Sequence, residues 1–172
     1  MKKGLILSSF LFLVCSLLPV SSQNPTQIGY VDTNEILDAM PERMEATTYL
    51  SELSDKYKEE LQTMQNEYTK KYADFISYQT AMAENIRLRR MQELHELEKN
   101  INSFLTLAQE DIETQEKELL VPLREKIKTA VYNVGVRNGL ICVYDLANPT
   151  IIFVTPDATD ITALVKTELN IR

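Results

Sequence analysis

Glycine and proline are scarce in this chain of 172 residues, which has 4 of the first and 6 of the second. Between Tyr30 and Val134 there is no glycine, and Pro41 and Pro122 are the only prolines. Glycine and proline are the residues that disfavour a helix interior most strongly. Their scarcity therefore predicts one or more helices of unusual length in the middle of the chain.

Cysteine is almost absent, with two in the whole chain. Cys15 lies in an apolar stretch near the N terminus, so Cys142 is the only cysteine in the remainder. This excludes an internal disulfide after that stretch, and stability must come from packing or from association between copies. We interpret Cys142 as a small buried residue of a strand, with a disulfide between two copies as the alternative.

Residues typical of an active site are also few. His95 is the only histidine and has Glu93 and Glu96 nearby in a predicted helix, where we interpret it as an exposed surface residue. A lone histidine forms neither a metal site nor a catalytic triad, and there is no glycine-rich phosphate loop. Acidic residues outnumber basic ones by 25 to 18, which disfavours general nucleic-acid binding. We therefore expect no enzyme activity, no cofactor, no metal ion and no nucleic-acid partner.

Residues 1–22 have the pattern of a cleavable signal peptide. Two lysines precede the apolar run Leu5–Leu18, and a small-residue cleavage site follows before Gln23. The run is too short for a comfortable membrane span, so we expect export of a soluble mature protein. A lipoprotein acylated at Cys15 is the alternative, although Val14 stands where that processing needs a small residue.

Two apolar series fill the middle of the chain, one from Leu50 to Ile86 and one from Leu94 to Val134. Their members recur at steps of three and four, with an average step of about 3.6 residues. Such narrow stripes on charged helices indicate an exposed helix pair. A strict heptad would impose a left-handed supercoil, whereas this average predicts nearly straight helices.

The two stripes fall out of phase between them, which favours a turn at that point. We predict an antiparallel helical hairpin over residues 42–134 with its tip near residues 79–90. Asn85 is the best candidate for a left-handed turn residue, since the segment has no glycine or proline. One continuous helical rod is the alternative.

Residues 23–41 and 135–172 predict a small β-rich body. Short apolar runs rich in β-branched and aromatic residues predict three strands, at residues 27–31, 140–145 and 150–154. Asp32 is a predicted cap of a short helix, with Glu35 at the spacing of a capping box, and Pro41 fits the first turn of the next helix.

Two glycines and one aspartate mark the remaining boundaries of this body. Gly135 and Gly139 are the predicted C-terminal signals of the long helical segment. Asp160 is the predicted cap of a final helix.

The two ends of the chain resemble the Skp/OmpH family of periplasmic chaperones. At the N-terminal end the similarity lies in Ile28-Gly29-Tyr30-Val31-Asp32 and Glu35-Ile36-Leu37. At the C-terminal end it lies in the run from Asn138 to Asp145 and in Asp160-Ile161-Thr162, and Val121-Pro122-Leu123 in the helical part is also similar. This resemblance implies a homotrimer in which strands from three copies build the body and three helical hairpins surround a cavity. It also implies a periplasmic location and, as clients, unfolded outer-membrane β-barrel proteins. The residues expected to form the trimer body are Ile28, Tyr30, Val31, Ile141, Val143, Ile151 and Phe153.

The arms offer candidates for client contact. Tyrosines that lie off the stripes suit weak contacts of low sequence specificity, and a basic cluster near the tip could attract acidic client segments or anionic lipid head groups. These candidates are Tyr49, Tyr78, Arg87, Arg89 and Arg90. The simpler interpretation of the arginines is that they are solvated and paired with Glu84 or Glu93.

Two functions fit this sequence. The first is a holdase, a chaperone that keeps unfolded proteins soluble without chemistry of its own. The second is a structural coiled coil or scaffold protein of the envelope that binds no client. Suppression of client aggregation distinguishes the first from the second.

Overall fold

The computed structural model describes residues 27–171, so the predicted signal peptide lies outside the described residues. The described part is mainly helical with a small strand component, as predicted. Its elements in chain order are β1 (Ile28–Val31), α1 (Thr33–Asp38), α2 (Pro41–Tyr78), α3 (Glu84–Arg137), β2 (Cys142–Asp145), β3 (Thr159–Asp160) and α4 (Thr162–Glu168).

Helices α2 and α3 form a long antiparallel hairpin. They have 38 and 54 residues, or about 57 Å and 81 Å at 1.5 Å per residue. The turn occupies residues 79–83, and no continuous rod forms. Asn85 lies in the first turn of α3 and not in a left-handed conformation, so its predicted role is wrong. Ala83, with an extended backbone, precedes α3 instead.

Asp32 and Pro41 take their predicted places at the start of the helical segments, whereas the side chain of Glu35 does not complete a capping box. The Asp32 carboxylate accepts hydrogen bonds from the backbone N–H groups of Asn34 and Glu35, each at 3.0 Å, and so caps α1. Pro41 occupies the first turn of α2. The Glu35 side chain accepts a hydrogen bond from Lys166 Nζ at 2.7 Å and therefore links α1 to α4.

The three strands form one parallel sheet in the order β2-β1-β3. Ile28 pairs with Cys142 and Tyr30 with Tyr144. Because side chains alternate along a strand, these four residues share one face of the sheet. Val31 belongs to the opposite face, which packs on the helices. There the Val31 side chain is only 1% exposed.

The hydrophobic core lies between the inner face of the sheet and four helical segments. A large share of it comes from the last part of α3, which the sequence analysis assigned to the arm. The buried core residues are Val31, Ile36, Leu37, Met40, Ala46, Leu120, Leu123, Ile127, Ala130, Val134, Ile161 and Val165. In the structure, the hairpin therefore leaves the body near Ala46 on α2 and Leu120 on α3.

The predicted strand at residues 150–154 is wrong. Asn148 forms a turn there, with its side-chain oxygen accepting from Thr150 N at 3.0 Å and its carbonyl accepting from Ile151 N at 3.0 Å. The sheet instead uses the two-residue strand β3 beside β1. Both sides of β1 are thereby filled, and among the described residues this β-prone segment joins no strand.

Two other predicted boundaries shift. Gly135 lies inside α3, which ends at Arg137, whereas Gly139 follows the helix in a left-handed conformation with φ of 66°. Asp160 precedes α4 and accepts a hydrogen bond from Thr162 N at 2.8 Å, but Ile161 occupies the cap position itself.

Candidate functional site

The strands of the body and the segments beside them carry several large apolar side chains that the core does not cover. The most exposed are Ile152 at 94%, Phe153 at 77% and Ile141 at 68%. We call these exposed side chains together the body surface and define it as Ile28, Ile141, Tyr144, Leu146, Ile152 and Phe153. A large apolar patch of this kind on a small body is typical of an association surface.

A shallow cavity of about 310 Å³ lies on the face of the sheet that carries Ile28 and Tyr144. Ile28 and Tyr144 form its sheet side, and Ile151 and Phe153 come from the segment that follows β2. Cys142 is half-buried on the same face and has a free thiol. The cavity is open and mostly apolar, so it fits further protein side chains better than a polar small molecule.

The seven residues expected in the trimer body do not all lie on one side. Ile28, Ile141, Ile151 and Phe153 lie on or beside the exposed face, and Tyr30 is half-buried on it. Two face the helices instead, and these are Val31 and Val143. Val31 is fully used by the chain's own core.

The two tyrosine candidates lie far apart along the hairpin. Tyr49 is near the body, where its hydroxyl lies 3.5 Å from Gln115 Oε1 on α3. Tyr78 is the last residue of α2 and is exposed. The 29 residues between them span about 43 Å of helix, so one short client segment does not reach both.

The three arginine candidates lie in the first two turns of α3. Arg87 binds Glu84 at 2.6 Å, and Arg90 binds Glu93 at 3.0 Å. Both pairs join residues three apart on one helix, where exposed ion pairs contribute little stability. Arg89 is exposed at the same level. The cluster keeps a positive charge, since it has three arginines and these two glutamates.

Besides the contact of Tyr49 with Gln115, polar contacts join the arms at three further levels within the described residues. Lys126 binds Glu42 at 3.1 Å near the body, and Tyr57 donates to Asp111 midway along the arm. Nearer the tip, Lys71 on α2 binds Glu93 on α3.

These contacts change the proton affinity of the groups involved. The hydrogen bond from Lys71 lowers the pKa of the Glu93 carboxyl, and the same contact raises the pKa of Lys71. The hydrogen bond to Asp111 raises the pKa of the Tyr57 phenol.

The structure also reveals an apolar cluster that the sequence analysis did not single out. Near the tip, four large apolar side chains are between 46% and 50% exposed, and these are Tyr72, Ile76, Leu88 and Met91. Tyr72 is a member of the apolar series from Leu50 to Ile86, and the other three are not members of either series. The sequence shows that these apolar residues lie outside the stripe. It does not show which of the residues beside the stripe the partner helix covers.

Other kinds of site find no support in the part of the chain that the structure covers. Within residues 27–171, no three metal-binding side chains come together. No helix there is both long enough and apolar enough to cross a membrane. His95 is exposed on α3.

Comparisons with known proteins match most of the chain. The family model "Outer membrane protein (OmpH-like)" matches residues 27–169. The chain is similar in structure to a proposed outer membrane chaperone (OmpH-like) from Caulobacter crescentus, with a TM-score of 0.71. The two are 14% identical, and the similarity covers 86% of this chain and 85% of the other. No curated protein matches the chain.

Proposed function

Because this chain belongs to the OmpH-like family of outer membrane proteins, we propose that it is a periplasmic holdase chaperone. In this proposal three copies associate through their bodies, and their three arms enclose a space that holds unfolded outer-membrane proteins. The protein binds and releases its clients without catalysing a reaction. Export to the periplasm by cleavage of residues 1–22 is part of the proposal.

The exposed body surface is the observation that carries the proposal. Phe153 and Ile152 are large apolar side chains that water surrounds in the single chain. Burying such side chains contributes about 1.5–3 kcal/mol each. The outer edges of β2 and β3 also expose backbone hydrogen-bonding groups that a neighbouring strand can satisfy. Association of bodies would cover both features, and the resemblance implies three copies.

The arms supply the second part of the argument. A two-helix arm has no deep pocket of its own, and its exposed tyrosines and arginines offer many weak contacts. Tyr49 and Tyr78 are proposed client contacts at the root and the tip, with Arg87, Arg89 and Arg90 at the tip. Weak and numerous contacts suit a chaperone, because each client must leave again.

Contact of the arm tips with anionic lipid is a related possibility that the same arginines favour. Basic side chains near a membrane attract anionic head groups, each with about 1 kcal/mol. Only one arginine of the cluster is not bound to Glu84 or Glu93 in ion pairs, so we expect such contact to be weak and sensitive to salt.

Native mass measurement and an aggregation assay test the proposal together. We expect the mature chain to form a trimer and to prevent aggregation of a urea-diluted outer-membrane β-barrel protein at about one trimer per client. The variant Ile152→Ser/Phe153→Ser should be monomeric at the same concentration and lose this effect. The matched control Met44→Ser, at an exposed position of α2, should behave as the original chain.

A stable monomer, or a trimer that leaves aggregation unchanged, would falsify the holdase proposal. In the second case, recovery of one fixed stoichiometric partner from envelope extracts would instead favour a scaffold protein.

A further inference from the structure

A second cavity, of about 430 Å³, lies on the side of the sheet that faces the helices, between α1, α3 and the segment after β2. Val31, Val143 and Asp145 are among its lining residues. Along their strands these residues alternate with Tyr30 and Tyr144, which lie on the opposite face. This cavity, which we call the helix-side cavity, is therefore separate from the shallow cavity around Ile28 and Tyr144.

The helix-side cavity lies at an edge of the sheet that many proteins use for ligands. β1 and β2 are parallel, and the cavity lies outside their carboxyl ends. Thr33, which follows β1, and Ala147, which follows β2, both line it. Open parallel sheets bind ligands in the crevice at this edge, and the volume of the cavity is in the range of small-molecule sites.

The large apolar side chains that line the cavity are all aliphatic. They are Val31, Leu37, Ile127, Val131 and Val143. The first three are buried in the core, whereas Val131 and Val143 are half-buried. The two half-buried valines therefore keep apolar surface that a ligand can remove from water, which is favourable in proportion to the area covered.

The polar part of the lining offers mainly hydrogen-bond donors. The Asp145 carboxylate accepts from the Thr33 N–H at 3.2 Å, from the Thr33 hydroxyl at 2.7 Å and from the Ala147 N–H at 3.0 Å. Asn148 Oδ1 accepts from the Thr150 N–H at 3.0 Å and from the Thr150 hydroxyl at 2.8 Å. Because these acceptors are engaged, a ligand group that accepts hydrogen bonds fits the cavity better than one that donates them.

Two basic side chains of α3 also line the cavity, and Asp145 is the acidic one among its lining residues. Arg124 and Lys128 are four residues apart, so they are neighbours on the helix surface. Lys128 Nζ lies 3.5 Å from Glu125 Oε2, whereas Arg124 has no acidic residue three or four places away along α3. Arg124 is therefore the stronger anchor for an anionic group.

We propose that the helix-side cavity binds a single-chain fatty carboxylate, with its alkyl chain on the aliphatic lining and its carboxylate against Arg124. A guanidinium can donate two parallel hydrogen bonds to a carboxylate, which makes such a pair stronger than one between neutral groups. A peptide fits less well, because its N–H groups need acceptors and the oxygens of Asp145 and Asn148 already accept. Binding here involves the body alone and is independent of client binding by the arms.

Calorimetric titration of the full mature protein with hexanoate, octanoate and decanoate tests this proposal. Each added pair of methylene groups should tighten binding about tenfold. Arg124→Gln should bind decanoate about tenfold more weakly. The matched control Lys117→Gln, which removes a positive charge at an exposed position of the same helix, should bind it as the original chain does. Decanol, which lacks the carboxylate, should bind more weakly than decanoate and should not respond to Arg124→Gln.

Two further variants locate the ligand. Val131→Phe fills the cavity, keeps both basic side chains and should abolish decanoate binding. Ile152→Ser/Phe153→Ser changes the body surface and should leave the affinity for decanoate unchanged. Because Arg124 is exposed, its variant keeps the test independent of any change in packing at Val131.

Absence of saturable decanoate binding, equal affinities for decanoate and decanol, or an unchanged affinity in Arg124→Gln would each overturn the proposal. So would loss of binding in Ile152→Ser/Phe153→Ser, because the ligand would then lie on the body surface. Tighter binding of a short valine peptide with a free C-terminal carboxylate would also overturn it, since the cavity would then belong to a polypeptide end.

Discussion

Tyr57 on α2 donates a hydrogen bond of 2.6 Å to the carboxylate of Asp111 on α3. The same ring meets Phe104 edge to face, with ring centroids 5.8 Å apart and planes at 77°. One side chain thus contributes a polar and an aromatic contact between the arms. Since a two-helix arm buries its seam only partly, such side chains carry a larger share of its stability than they would in a closed core.

Tyr57→Phe should lower the midpoint of thermal unfolding slightly, by about 2 °C. The phenylalanine keeps the aromatic contact with Phe104 and loses only the hydrogen bond to Asp111. Tyr57→Ala removes both contacts and should have a larger effect, about 5 °C. Circular dichroism at a fixed protein concentration measures both. Equal midpoints for the two variants would mean that the ring contributes nothing.

Acid should weaken the contact between Lys71 and Glu93. The pKa of Glu93 is lowered in the folded chain from its usual 4.5, so its contribution to stability is present above about pH 4.5 and is lost as the pH falls through the folded pKa. Lys71 and Arg90 both bind Glu93, and Lys71 also binds Glu67.

Glu93→Gln should therefore lower the unfolding midpoint at pH 7 by about 1–2 °C and have a smaller effect at pH 3. Thermal scans at both pH values check this, with Glu98→Gln, exposed on the same helix, as the control. An equal difference at both pH values would show that the charge of Glu93 is irrelevant.

The hairpin was predictable because its signal is local and repeated. Leu50 to Ile86 and Leu94 to Val134 give regular stripes, and the predicted tip near residues 79–90 includes the observed turn at 79–83. The phase break between Ile86 and Leu94 lies after that turn, because Ile86 already belongs to α3. The sheet was less predictable, because residue preferences favour a strand at Thr150–Val154, whereas the sheet uses Thr159–Asp160 beside β1. Which strand pairs with β1 depends on the path of the whole chain, not on β propensity.

The candidate surfaces were predictable only in part for a similar reason. Apolar character at Ile28 and Phe153 indicated an association surface, but Val31 in the same run proved to be a core residue. At the tip, the arginines stood out by charge, whereas the exposure of Ile76 and Met91 depends on how the arms face each other. An apolar stripe indicates which face of each helix is buried. The width of that buried face depends on how the two helices pack.

Core residues of the body should be more sensitive than seam residues of the arm. Ile127 on α3 is 2% exposed, and Ile127→Ala should reduce the free energy of unfolding by about 3 kcal/mol. Leu97, half-buried in the arm, loses less contact, and Leu97→Ala should cost about 1 kcal/mol. Urea unfolding at a fixed protein concentration measures both. Equal losses would contradict a core centred on the body.

Two glycines should respond to alanine in opposite directions. A Cβ added at Gly29 on β1 would lie 2.5 Å from Leu140 Cδ1 and 3.3 Å from the backbone oxygen of Thr159. The leucine tip can move, but the oxygen belongs to the neighbouring strand, so Gly29→Ala should cost about 2 kcal/mol. At Gly135, inside α3, the nearest atom is Val143 Cγ2 at 3.4 Å, an ordinary contact. Gly135→Ala should therefore stabilise the chain by about 0.5 kcal/mol through the better helix propensity of alanine. Urea unfolding of the two variants checks the signs, and a gain at Gly29 would mean that β3 does not lie this close to β1.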